Sequence, residues 1–192
     1  AKMCFAALLN ALILGSHSAQ FDAGVKTAKE MFGKGDRDIL ISKFASSAAH
    51  VKGTRLVSAE SCTWIDEHFC ERPREIKEVI DRLFLAGVNH VFYHGLNYSP
   101  VDAPWPGWCF YASLEMNPRN PIWREVKALN DYITRCQSIF QTWESDNDLA
   151  IVWDPDSFRK KKPGEVRQMS VHGREWFYGE PIGKVAKKLY AE

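Results

Sequence analysis

RLVSAESCTWIDEHFCERPREIKEVIDRLFLAGVNHVFYH, residues Arg55–His94, holds two short apolar runs with an amphipathic segment between them. RLVSA (Arg55–Ala59), ending at Glu60, and VNHVFYH (Val88–His94) read as short buried strands. Pro73 suits the first turn of a helix, where its missing N–H leaves nothing unsatisfied. Ile76, Val79, Ile80, Leu83 and Phe84 then recur at helical spacing, and Gly87 closes the segment. Strand, helix and strand within about forty residues form the unit from which parallel sheets are built.

The alternation continues on both sides. Residues 21–32 and 36–52 read as helices; Ile39, Ile41, Phe44, Ala48 and Val51 give the second a broad apolar face, and Gly53 suits its end. Trp123–Trp143 reads as a helix with Val126, Leu129, Tyr132, Ile133 and Phe140 inward, followed by a third strand-like run, DLAIVWD (Asp148–Asp154). Residues 159–167 (RKKKPGEVR) form a basic, solvated loop, and Ile182–Glu192 forms a closing helix. The opening AKMCFAALLNALILGSHSAQ has two readings: an imitation of a secretory leader, or a buried helix carrying Phe5, Leu8, Leu9, Leu12 and Ile13.

Composition narrows the class of function. The 192 residues carry 25 Lys and Arg against 24 Asp and Glu, a net charge of +1. Proteins that coat nucleic acid or anionic lipid work through a basic excess, so neither partner is expected. No apolar run reaches the roughly 18–20 residues that cross a bilayer. The five cysteines, Cys4, Cys62, Cys70, Cys109 and Cys136, show no C-x-x-C pair and no nearby His that completes a metal quartet, so no metal ligands are expected among them and they read as mostly free thiols. Phosphate-loop, HExxH, G-x-S-x-G and EF-hand patterns are missing, which disfavours an NTPase, a zincin, an α/β-hydrolase and a calcium-loop protein.

Parallel α/β proteins bind ligands where their strands end at the carboxyl side. That rule selects Glu60 after the first strand and His94, Asn97 and Tyr98 after the second. A carboxylate at such an opening serves as acid, base or nucleophile when partly desolvated, and otherwise caps a segment or pairs with a cation. His94 reads either as a catalytic imidazole or as a hydrogen-bonded core histidine, and Gly95 permits close backbone approach. His68 is placed to orient Glu60 or its neighbours, while His50 and His90 satisfy buried polar groups. Trp64, Trp105, Trp108 and Tyr111 suit a sugar cleft: pyranose C–H faces pack on aromatic rings, and hydroxyls need directional partners. Each ring could equally be core.

Five blocks carry a family resemblance: KFASSAAHVKGTRLVSAESCTWIDEHF (Lys43–Phe69), AGVNHVFYHGLNYSP (Ala86–Pro100), PGWCFYASLEMNPRNPIW (Pro106–Trp123), LNDYITRCQS (Leu129–Ser138) and REWFYGEPIGKVAKKLYAE (Arg174–Glu192). Together they resemble glycoside hydrolase family 106, the α-L-rhamnosidases, over roughly residues 37–192. SLEMNPRNPIW (Ser113–Trp123) departs from the expected block, which is richer in Phe and Asn.

The resemblance implies a large enzyme with a catalytic (β/α)8 barrel that hydrolyses terminal α-L-rhamnosyl linkages of a glycan with inversion. A complete barrel needs about 200–250 residues, so the expected fold is α/β: the last strands of a partial (β/α)8 barrel over 36–146, then the start of a second α/β domain over 147–192. Residues 1–35 stay unplaced and are expected to be helical. Glu60 would be the general base, with its acid partner on an earlier strand beyond this chain; Asp66, Glu67, Asp102 and Glu115 are poor candidates for that acid. His94, Asn97 and Tyr98 would meet sugar hydroxyls, and Trp64, Trp105 and Trp108 would line the cleft. The resemblance also implies calcium as a cofactor and a periplasmic or secreted location. Self-association, or contact with the rest of a larger enzyme, would cover the open strand edges. The alternative is a non-catalytic carbohydrate-binding or structural remnant of such an enzyme.

Overall fold

A computed structural model describes residues 3–6, 38–154 and 174–191 of the chain. The order is β1 (Met3–Ala6), α1 (Ile39–Lys52), β2 (Ser58–Ser61), α2 (Pro73–Leu85), β3 (His90–Tyr93), α3 (Trp123–Thr142), β4 (Leu149–Val152), α4 (Glu175–Tyr178) and α5 (Pro181–Ala191). The strands form two parallel pairs, β2 with β3 and β1 with β4. The described residues therefore show a mixed α/β chain.

The strand–helix–strand unit lies where the sequence puts it. β2 and β3 pair in register Ser58↔His90 to Ser61↔Tyr93, so Glu60 lies opposite Phe92 near the carboxyl ends of both strands. All five residues expected on the inner face of α2 are buried. Its start is locked by Glu75 Oε2, which accepts from the Arg72 N–H at 2.8 Å. The core under this pair joins Val57, Trp64, Ile76, Ile80 and Leu83 with Leu114, Val126, Leu129 and Ile133.

α3 also closes the pair's edge with side chains. The Val91 N–H donates to Gln137 Oε1 at 2.7 Å, and Gln141 Nε2 donates to the Asn89 carbonyl at 2.6 Å. Buried Asn89 spans the strand entrances: its Oδ1 accepts from the Val57 N–H and its Nδ2 donates to the Arg55 carbonyl, each at 2.8 Å. Strand groups that would otherwise be orphaned thereby find partners.

α1 begins at Asp38, whose Oδ1 accepts from the N–H groups of Leu40 and Ile41. It ends at Gly53 in the left-handed region, as its glycine suggests. Its inner face is rotated from the expected one. Leu40, Ile41, Phe44, Ser46, Ser47 and Ala49 are buried, whereas Val51 is exposed. The reason is a close helix contact: the Ser46 hydroxyl donates to the Ala86 carbonyl at 2.6 Å, and a Cβ on Gly87 would lie 2.7 Å from Ser46 Cβ. Only small residues fit there. Phe140, expected inside, is exposed at the rim of α3, its ring 5.3 Å from Phe84.

Leu40, Ile41 and Phe44 of α1 form a second cluster with Phe177 and Ala186, flanked by Ile151, Trp153 and Trp176. The Tyr178 hydroxyl donates to the Asp38 carboxylate at 2.8 Å. α1 thus touches both clusters, because Ala49 belongs to the first. Where the opening stretch was expected to be helical, Met3–Ala6 is a strand paired with Leu149–Val152. A short apolar run suits either state, and an available partner strand decides it. The remainder of that stretch, the helix expected at 21–32 and the basic loop at 159–167 lie outside the described residues. No helix among the described residues is long and apolar enough to cross a membrane.

Candidate active site

Two loops leave the carboxyl ends of β2 and β3, and the polar groups they carry meet there. Glu60 Oε1 lies 2.7 Å from His94 Nδ1 and accepts from the Thr63 hydroxyl at 3.0 Å. On the far side of the imidazole, Nε2 lies 3.1 Å from the Tyr111 hydroxyl. The result is a continuous line from Tyr111 through His94 and Glu60 to Thr63. Burial, reinforced by the negative Glu60, holds the Tyr111 phenol above its ordinary pKa, so the hydroxyl keeps its proton. The Phe110 ring stacks on His94 with centroids 4.8 Å apart. Gly95 makes this possible, since a Cβ there would meet Phe110 at 3.2 Å. The imidazole is therefore fixed from both nitrogens and one face.

The loop after β3 is held by its own polar groups. Arg119 donates from Nη1 to the Ala103 carbonyl and from Nη2 to the Pro100 carbonyl, each at 2.8 Å. The Trp108 N–H donates to Ser99 Oγ at 2.8 Å. Asn97 adds two further ties, its Nδ2 donating to the Trp108 carbonyl and its Oδ1 accepting from Asn117. On this frame Tyr98, Trp105 and Trp108 stand 74%, 70% and 60% exposed, with Tyr98 edge-on to Trp108.

The structure separates the residues singled out in the sequence. Glu60 and His94 come together, and Tyr98, Trp105 and Trp108 present open ring surface. Asn97 braces the loop. Trp64 is 1% exposed and packs in the core beneath β2, so its ring faces meet protein. His68, expected to orient Glu60, instead has Nδ1 2.9 Å from Oε1 of Glu115, a fully buried acid. The sequence reading missed Thr63, and it gave Tyr111 a sugar-facing role rather than a contact with His94. Thr63 lies three residues after Glu60, close enough to turn back on it; Tyr111 carried no spacing signal.

Calcium takes six to eight oxygen ligands. Among the described residues, the grouped metal donors are His68, Cys109 and Glu115, which offer nitrogen, sulfur and one carboxylate. That set does not fit calcium.

Glu60, partly exposed and held by His94, is a carboxylate of the kind that can take part in acid–base chemistry, and the exposed rings stand on the loop that follows His94. The family model of glycoside hydrolase family 106, described as alpha-L-rhamnosidase, matches residues 18–161, and the chain belongs to that family. A curated protein of Formosa agariphila named "Putative beta-glucuronidase" is 36% identical over 113 residues, covering 57% of this chain. The match spans 9% of that relative's length. No solved structure matches the chain.

Proposed function

We propose that the chain carries the general-base half of an inverting α-L-rhamnosidase site. The observation that carries this reading is the 2.7 Å contact between Glu60 Oε1 and His94 Nδ1 at the carboxyl ends of β2 and β3. An ionised Glu60 accepts hydrogen bonds only, which puts the proton of that contact on His94 Nδ1. His94 Nε2 faces the Tyr111 hydroxyl, so both ring nitrogens are held and the ring orientation is fixed. Held this way, Glu60 takes a proton from the attacking water as that water adds to the anomeric carbon. A second carboxyl group protonates the leaving oxygen, at the separation of about 6.5–9.5 Å that inversion requires. In this reading the acid stands on an earlier strand of a (β/α)8 barrel, whose late strands are β2 and β3, and residues 147–192 open the next domain.

Tyr98, Trp105 and Trp108 supply ring faces for the sugar. The rest of the enzyme covers exposed apolar groups on the strands, such as Phe92 and Val152. The exposed rings also favour a second reading, a carbohydrate-binding remnant without turnover. In the complete enzyme, Glu60→Gln should lower kcat on an aryl α-L-rhamnoside by about 10²–10⁴-fold with the fold intact. Near wild-type turnover removes Glu60 from the mechanism. An aryl glycoside panel that includes a β-glucuronide, the substrate class in the relative's name, tests the choice of sugar.

A further inference from the structure

We infer that His68, Cys109 and Glu115 form a binding site for a zinc-like divalent transition-metal ion that ties the loop after β2 to the loop after β3. Their ligand atoms all lie within 4.8 Å of one another. His68 comes from the first loop; Cys109 and Glu115 come from the second. Tetrahedral zinc with bonds of about 2.0–2.3 Å sets its ligands about 3.3–3.6 Å apart. The His68 Nδ1 and Glu115 Oε1 atoms, at 2.9 Å, are already close to that span. Cys109 is exposed, so its side chain has room to swing in by the difference.

The donor set selects the ion. Imidazole and thiolate favour zinc and its neighbours over calcium or magnesium, which take oxygen cages. Three protein ligands leave a fourth position for water. The anchoring carboxylate is the most rigid member. Glu115 is 0% exposed, its Oε1 accepts from the Phe110 N–H at 2.8 Å, and Asn117 Nδ2 reaches its Oε2 at 3.4 Å. Such outer contacts are what orient metal ligands. Asn117 also bonds Asn97, the brace of the aromatic loop, and Phe110 packs on His94. An ion here therefore steadies the loop that holds both the exposed rings and the imidazole of the Glu60 pair. The assignment rests on these three side chains and not on the identity of the sugar.

Binding is read on the full chain, reduced and freed of metal with a chelator, by titration with Zn²⁺ against a chromophoric competitor and with Co²⁺ by absorption. The site predicts one tight equivalent of Zn²⁺ and a cobalt spectrum with tetrahedral d–d bands and a thiolate-to-cobalt charge-transfer band. Cys109→Ser should abolish the charge-transfer band, and both it and His68→Gln should weaken Zn²⁺ binding at least about tenfold. Cys136→Ser should change neither reading. Both variants alter half-buried or exposed side chains, so circular dichroism should show an intact fold. Absence of a tight equivalent, or binding indifferent to Cys109→Ser and His68→Gln, overturns the assignment; so does equal affinity for Ca²⁺.

Discussion

His94 Nδ1 stands 2.7 Å from Glu60 Oε1, while Tyr111 holds the opposite nitrogen of the same ring at 3.1 Å. If this line orients the base, Tyr111 acts through His94 and not on the sugar. In the complete enzyme, Tyr111→Phe should then lower kcat roughly tenfold, the effect of losing one hydrogen bond of about 1.4 kcal/mol, with KM unchanged. His94→Ala should cost more, since it strips Glu60 of a charge-assisted partner. A Tyr111→Phe enzyme with raised KM and unchanged kcat would make the phenol a substrate contact instead.

The tryptophans divide by burial. Trp105→Ala and Trp108→Ala should raise KM about 2–12-fold, the effect of losing ring contacts of about 0.5–1.5 kcal/mol, and leave the melting temperature unchanged. Trp64→Ala should do the reverse, costing about 3–5 kcal/mol of stability as a core ring is lost. Steady-state kinetics beside thermal unfolding reads both, and a stable Trp64→Ala protein with raised KM contradicts the core placement.

These two groups show what could be read from sequence. Helical spacing fixed the inner face of α2, because its five apolar residues leave one way to bury them. It failed for α1, where the burial of Ser46 against Gly87 depends on how closely two segments approach, a property no hydrophobicity pattern records. Glu60 and His94 were legible because a strand followed by a loop is a local signal. The contacts of Thr63 and Tyr111 were not, and neither was the seating of Trp64. A tryptophan shortly beyond a candidate carboxylate reads the same whether its ring faces a cleft or a core. His68 found Glu115, 47 residues away, through the folding of two loops.

Gly87 is a further test of that packing. Its φ is +89°, and a Cβ would meet Ser46 at 2.7 Å. Gly87→Ala should therefore destabilise the protein by more than about 1 kcal/mol. Chemical denaturation checks this, and an unchanged midpoint would mean that α1 and α2 are not held at this distance.

Tyr132 gives a pH signature. Its hydroxyl donates to Asp81 Oδ1 at 2.6 Å, and that bond is the main cause pushing the phenol up to about 12 from 10.0. A raised phenol pKa means its contribution to stability is complete below pH 10 and lost as pH climbs through 12. Solvent access keeps the contribution small, roughly 0.5–1 kcal/mol. Wild type should melt above Tyr132→Phe at pH 8 and converge with it across that alkaline window; a constant gap would contradict the assignment.

The central claim is that Glu60 draws the proton from a water attacking opposite the leaving group. Its most direct test is anion rescue of Glu60→Ala in the complete enzyme, followed by NMR of the product. The account predicts very slow hydrolysis, restored turnover with sodium azide, and a rhamnosyl azide of configuration opposite to the substrate. Full activity without azide, or an azide adduct that keeps the substrate's configuration, would contradict it.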